Sequence, residues 1–140
     1  MNKRLVILFI MILVSEIAYS KNKLPYKVSY DLEYKDKNEN QIVEIGINLT
    51  NKSSKSISAF TIVFYLFDYE GNSAIKEKNS IVLRFDEEIN AHDSISINKD
   101  ISQFITEDYE TGLEVECLYV SIIEYEDGIL WTDPFGIKKF

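Results

Sequence analysis

His92 and Cys117 are the only histidine and the only cysteine in a chain of 140 residues, so imidazole and thiol chemistry have one starting point each. A carboxylate beside an imidazole orients it as a general base for a nearby nucleophile, and Asp93 directly follows His92. The nucleophile is missing. Neither a serine nor the cysteine stands in a nucleophile signature, and residues 90–94 read as a turn, so His92 is expected to be an exposed turn residue. One histidine and one cysteine also fall short of the three or four ligands that a zinc site takes. A lone cysteine has no internal disulfide to make, and Cys117 reads as a small apolar side chain of the core.

Oxygen ligands offer a second chemistry. Asp36-Lys37-Asn38-Glu39-Asn40 sets oxygen-bearing side chains at alternate positions, as a calcium loop does at its start. The sixth position, where the sharp turn takes glycine, is Gln41, and the twelfth, where a bidentate glutamate closes the site, is Ile47. The segment therefore reads as a polar hairpin loop. Asp86-Glu87-Glu88 and the acidic stretch 107–110 read as solvated faces. Paired carboxylates also hydrolyse glycosides, but among 23 acidic residues some pair is always close, so proximity selects nothing. The five glycines form no phosphate-cradling loop. The expectation is a protein with no enzymatic activity, no cofactor and no metal.

The elements that must position these groups alternate with period two. Tyr26, Val28, Tyr30, Leu32 and Tyr34 interleave with polar residues, the pattern of a half-buried strand. The tyrosine stripe invites stacking on sugar rings, but it shares its face with Val28 and Leu32 and is read as a core face. Val43, Ile45, Ile47 and Leu49 predict a second strand, and 51–56 is a loop without an apolar residue. Residues 57–69 are apolar on both parities and end at the turn Tyr69-Glu70-Gly71-Asn72. Residues 80–85 predict a fourth strand, with Ile81, Leu83 and Phe85 inward. After a turn at 90–94, Ile95 and Ile97 predict a fifth. Residues 100–105 suit a single helical turn capped by Asp100. Residues 113–125 predict a long strand, which Asp127-Gly128 turns as a two-residue hairpin into Ile129-Leu130-Trp131-Thr132. About seven short strands with frequent turns and two prolines describe an all-β chain, an antiparallel immunoglobulin-like β-sandwich.

The N-terminus has a different logic. Asn2-Lys3-Arg4 is a basic start, 5–14 an unbroken apolar run, and Ala18-Tyr19-Ser20 puts small residues before Lys21. That order is read by an export machine and cut by a signal peptidase. The expected organisation is a signal peptide over 1–20 and a single sandwich domain over 21–140, exported to the periplasm or secreted. A spanning helix needs roughly 20 apolar residues, more than this run supplies, so no stable membrane span is expected after cleavage. Cys117 lies too far away to be the lipid-bearing cysteine of a lipoprotein. Cleavage removes Lys3, Arg4 and Glu16 and moves the net charge from −8 to −9. Such a domain repels phosphate backbones and anionic lipid, which argues against nucleic acid as a partner. A predominance of lysine over arginine, with abundant Ile and Asn, points to an AT-rich bacterial genome. On that reading the sequons Asn48-Leu49-Thr50 and Asn51-Lys52-Ser53 bear no glycan.

Phe64-Tyr65-Leu66-Phe67-Asp68 resembles the motif that names the FxLYD family of bacterial exported domains, with Phe67 where the family has tyrosine. The surroundings are similar too: Asn48-Leu49-Thr50-Asn51 before a Ser/Lys-rich loop, Gly71-Asn72 after the motif, and Glu126-Asp127-Gly128 followed by Trp131 in the last hairpin. The likeness spans about residues 43–131 and departs at Ala91-His92-Asp93-Ser94, where such domains usually have a glycine-containing turn. It implies an immunoglobulin-like accessory module of the cell envelope, with no catalytic residues to carry over.

One feature exceeds what a two-layer sandwich needs, since such a fold buries one face of each strand. In the third run Phe60, Ile62, Phe64 and Leu66 form one apolar face, and Val63, Tyr65, Phe67 and Tyr69 form another. In the long sixth run Leu118, Val120 and Ile122 oppose Tyr119, Ile123 and Tyr125. If the two runs pair, one apolar face is left outside the core, and Val63, Tyr65, Phe67 and Tyr119 become candidates for a protein-contact or self-association surface. The bland alternative is cover from within, by the arm 21–25 or the tail 135–140. The expected function is a non-catalytic binding or structural module of the envelope acting through protein–protein contact. A small-ligand or carbohydrate-binding module using Trp131 and exposed tyrosines is the alternative.

Overall fold

The computed structural model describes residues 23–37, 40–76, 79–106 and 112–138, the side chains of Lys37 and Asn40 excepted. The expected signal peptide over 1–20, the centre of the first turn, and the acidic stretch at 107–110 with its neighbour 111 lie outside the described residues. Alternation builds seven strands: β1 (Tyr26–Lys37), β2 (Asn40–Asn51), β3 (Ile57–Phe67), β4 (Ile81–Phe85), β5 (Ser94–Asp100), β6 (Glu114–Tyr125) and β7 (Leu130–Thr132). A short 3-10 turn at Ser102–Phe104 follows β5, with Asp100 Oδ1 accepting the Ser102 N–H at 2.9 Å. All pairings are antiparallel, in a three-stranded sheet ordered β1-β2-β5 and a four-stranded sheet ordered β4-β3-β6-β7. The first, second and fifth strands share one sheet and the third, sixth and seventh the other, as in immunoglobulin-like sandwiches, with β4 added beside β3.

The core lies between the sheets. Val43, Ile45, Ile47 and Leu49 of β2 face Phe60, Ile62, Phe64 and Leu66 of β3, and all are buried. Phe60 stacks on Phe85, its register partner on β4, with ring centroids 5.1 Å apart. Leu24 of the N-terminal arm is buried in this core, so that residue packs between the sheets and not over the outside of the four-stranded one.

The tyrosine stripe of β1 has a specific job. β7 pairs with β6 only at Ile122, Ile123 and Glu124, which leaves the edge of β6 without a ladder at its first residues. Three tyrosine hydroxyls from the opposite sheet take its place. Val120 N–H donates to Tyr26 Oη at 3.2 Å, Tyr30 Oη donates to the Val115 carbonyl at 2.9 Å, and Leu113 N–H donates to Tyr34 Oη at 2.9 Å. Buried backbone groups are costly to leave unpaired, so the stripe ties the sheets together chemically as well as by packing. Burial pushes the Tyr26 hydroxyl above its ordinary pKa. Tyr26→Phe is expected to cost about 1–2 kcal/mol, because the Val120 N–H loses this acceptor where water does not reach. Tyr30→Phe and Tyr34→Phe should cost less, since both side chains are exposed and water replaces the hydroxyl. Urea midpoints of the three variants, compared at equal slope, check that order.

Three expectations need correction. Strict alternation along β6 fails, because β6 holds an extra residue at Ser121 and another at Cys117/Leu118 relative to β3. Each bulge flips the parity. Val120 and Ile123 therefore both point inward, although they were assigned to opposite faces. Cys117 has φ 52° and is an exposed free thiol, not a core side chain. The last hairpin is also longer than expected. Tyr125 N–H donates to the Ile129 carbonyl at 3.0 Å, and in the turn only Gly128 has positive φ, at 81°. This is a three-residue loop closed by a left-handed glycine, not a two-residue primed turn. Asp127 holds it by accepting from Ile129 N–H and from Lys55, whose ammonium keeps that carboxyl below its ordinary pKa.

Candidate contact surface

The pairing of β3 with β6 brings the candidate residues onto one outward face. Val63 lies directly opposite Tyr119 on β6 and opposite Val82 on β4, so the three form a row across the sheet. Along the same face Tyr65 is opposite Glu116 and Phe67 opposite Glu114. The row is unevenly covered. Val63 is only 9% exposed between its two neighbours, Tyr65, Phe67 and Tyr119 are half-buried, and Val82 at the margin is 56% exposed.

Two devices provide the cover. At the β3 start, Arg84 of β4 is opposite Thr61 and reaches across β3 to the carboxylate of Glu124 on β6, while also pairing with Asp86 at 2.9 Å. This arch explains why Thr61 and Ala59 beneath it are buried. The second device is the tail after β7. Asp133 N–H donates to the Ser121 carbonyl at 2.8 Å, so the tail departs where the β6 bulge ends the ladder. The Asp133 carboxylate is buried and accepts the Ile137 and Lys138 N–H groups at 3.1 and 3.0 Å. Tyr119 Oη donates to the Pro134 carbonyl at 3.1 Å. Gly136 lies flat on the Tyr119 ring: a Cβ there would come within 2.7 Å of Cδ1, and its φ of +62° disfavours any side chain. Burial, followed by the nearby Tyr65, raises the Tyr119 hydroxyl above its ordinary pKa.

The tail covers apolar surface and offers new surface in exchange. Phe135 is 78% exposed and Ile137 72%. An open cavity of about 400 Å3 is lined by Tyr26 of the opposite sheet, by Tyr65 and Tyr119, and by Phe135, Gly136 and Lys138 of the tail. Sequence reasoning found Val63, Tyr65, Phe67 and Tyr119 from parity, but it missed Val82, Asp133 and the Arg84 arch. The signal for Asp133 was the turn-forming Asp133-Pro134-Phe135-Gly136.

The other singled-out residues do not converge on this face. His92 is exposed in the turn at Asn90–Asp93 with φ 63°, taking the left-handed conformation that glycine would otherwise supply there. Trp131 is half-buried, edge-on to Tyr26 at 5.7 Å between centroids, with the Lys138 ammonium 4.8 Å above its ring. Among the described residues no three of His, Cys, Asp and Glu are arranged to hold a metal ion, and no helix is long and apolar enough to cross a membrane.

No family model and no curated protein matches this chain. Its fold does have solved counterparts. A hypothetical protein of Peptoclostridium difficile 630 superposes with a TM-score of 0.54 at 13% identity, covering 79% of this chain and 87% of that one. A structural-genomics target, SoR45, is similar at a TM-score of 0.44 and 10% identity, covering 76% and 79%. The first likeness is one of fold alone.

Proposed function

We propose that this chain is an exported, non-catalytic protein-contact module of the bacterial cell envelope. The observation behind the reading is the outward row Val82–Val63–Tyr119, continued by Tyr65 and Phe67, on a sheet whose inner face already supplies the core. The Arg84 arch and the tail cover part of this second apolar face, and what they leave open, Val82 with the half-buried Tyr65 and Phe67 and the exposed Phe135 and Ile137, is apolar surface of the kind that marks a site of contact. Export is supported by the basic, apolar and small-residue order of residues 1–20. The envelope setting is supported by the FxLYD-like motif at Phe64-Tyr65-Leu66-Phe67-Asp68. A carbohydrate module is less favoured, because Trp131 is engaged by Tyr26 and Lys138 and offers no free ring face in a solvent-facing row.

A photo-crosslinking residue introduced at Val82 or Tyr65 in intact producing cells is expected to give a discrete adduct in the envelope fraction. The same residue at Ser29 or Asn98, exposed on the other sheet, should give none. Equal labelling from both sheets, or none from either, overturns the reading. Sedimentation separates the two forms of contact: a monomer whose behaviour Phe67→Ser leaves unchanged has a partner other than itself. The net charge of −8 favours that outcome, because copies repel one another.

A further inference from the structure

The two ends of the contact face differ in how their carboxylates are neutralised. Near the start of β3, Glu124 is paired with Arg84 and Asp127 with Lys55, so this chain supplies its own cations there. At the far end, Glu116 is exposed beside Tyr65 and Glu114 is exposed beside Phe67. Neither has an ion-pair partner among the described residues. The two carboxylates stand two residues apart on one side of a strand, roughly 7 Å in strand geometry, and like charges so arranged repel. Tyr69 extends the aromatic line toward Gly112, just before β6, and is followed by Glu70 and preceded by Asp68. The Asn72 N–H holds the Asp68 carboxyl below its ordinary pKa and so keeps that charge in place.

An aromatic ring beside an unpaired carboxylate is what a guanidinium or ammonium group takes: the cation lies on the ring face and donates to the oxygen. We infer that the face docks a cationic, extended protein segment with arginine or lysine at alternate positions, its basic groups on Glu114 and Glu116 and their stems on Phe67 and Tyr65. This rests on the contact-module reading and names the partner's chemistry. The spacing is that of a strand, in which every second side chain points the same way. A second copy of this chain is a poor occupant, since it brings the same excess of acid. Anionic lipid and nucleic acid are repelled for the same reason.

The test is an NMR titration of the 15N-labelled protein with two amidated pentapeptides, Arg-Thr-Arg-Thr-Arg and Glu-Thr-Glu-Thr-Glu. The arginine peptide is expected to shift the amides of Tyr65, Phe67, Glu114 and Glu116 in a saturable, salt-sensitive way, and the glutamate peptide to leave them unmoved. The double variant Glu114→Gln, Glu116→Gln should weaken binding about tenfold, corresponding to about 1.4 kcal/mol, with its amide spectrum otherwise preserved. Equal affinity in the double variant, or shifts scattered over the whole acidic surface, overturns the inference. If the arginine peptide fails to bind while crosslinks from Val82 and Tyr65 persist, the contact module stands and the cationic partner falls. If the crosslinks are lost as well, both fall.

Discussion

Asn51→Leu is expected to destabilise the fold by about 3 kcal/mol, taking about 1 kcal/mol for each of several hydrogen bonds lost together. The side chain is fully buried at the end of β2 and joins three separate stretches of chain. Its Nδ2 donates to the carbonyls of Lys55, Ile89 and Asn90 at 2.8, 3.1 and 3.2 Å. Its Oδ1 accepts from Ser53 N–H at 3.0 Å and Ser53 Oγ at 2.7 Å. A side-chain amide supplies two N–H donors and a carbonyl acceptor without carrying charge. Leucine fills the volume and supplies neither. Asn51→Asp is the sharper test, because it keeps the shape and turns an oxygen toward three carbonyl oxygens. Desolvation and those oxygens raise the folded-state pKa of the introduced acid. The sign follows: the penalty is full above that raised pKa and is relieved as pH falls through it, where the protonated acid donates again. Urea unfolding of both variants, followed by the fluorescence of Trp131, measures this. A loss under 1 kcal/mol in Asn51→Leu, or a penalty in Asn51→Asp that does not ease on acidification, refutes the account. The same burial keeps Nδ2 of the Asn51-Lys52-Ser53 sequon from any modifying enzyme once the domain has folded.

The architecture was legible because alternation is a local property. Val43 through Leu49 announces a buried face, Tyr26 through Tyr34 announces β1 although Tyr30 and Tyr34 stay exposed, and the turn at Tyr69-Glu70-Gly71-Asn72 announces the end of β3. What alternation does not encode is where the register slips. Neither Cys117 nor Ser121 is a glycine, and a bulge belongs to the pairing of two strands, so nothing in β6 alone signals it. From that point alternation misplaces inward and outward positions along β6, and it reads Cys117 as core although the side chain is exposed. Val63, Tyr65, Phe67 and Tyr119 do share one side of the sheet, because the first three lie on β3, where the pattern holds past Ser58, and because Tyr119 sits between the two bulges. The fate of the tyrosine stripe was half legible. Its core-facing side followed from Val28 and Leu32, whereas its bonds to β6 depend on β7 being short.

Asp133→Ala is expected to release the tail while leaving the sandwich folded, at a cost of about 2 kcal/mol. The carboxylate accepts two backbone N–H groups, and charge-assisted bonds of this kind contribute about 1.5–3 kcal/mol each before the cost of burying the charge is subtracted. The loss is bounded by the docking energy of the tail, because no residue of the tail belongs to the core between the sheets. Hydrogen exchange at the Ile137 and Lys138 amides should quicken, and the Tyr119 hydroxyl should fall back toward an ordinary tyrosine pKa of about 10 as water reaches it. Loss of the Asp133 charge also lowers that pKa, so a second variant separates the two causes. Gly136→Val keeps the carboxylate but drives a side chain against Tyr119 from a left-handed backbone. It should expose Tyr119 to the same extent if coverage governs the shift, and leave it unchanged if charge does. Unaltered amide exchange in Asp133→Ala would mean that Lys138, through the Thr132 carbonyl at 2.6 Å and the Trp131 ring, holds the tail by itself.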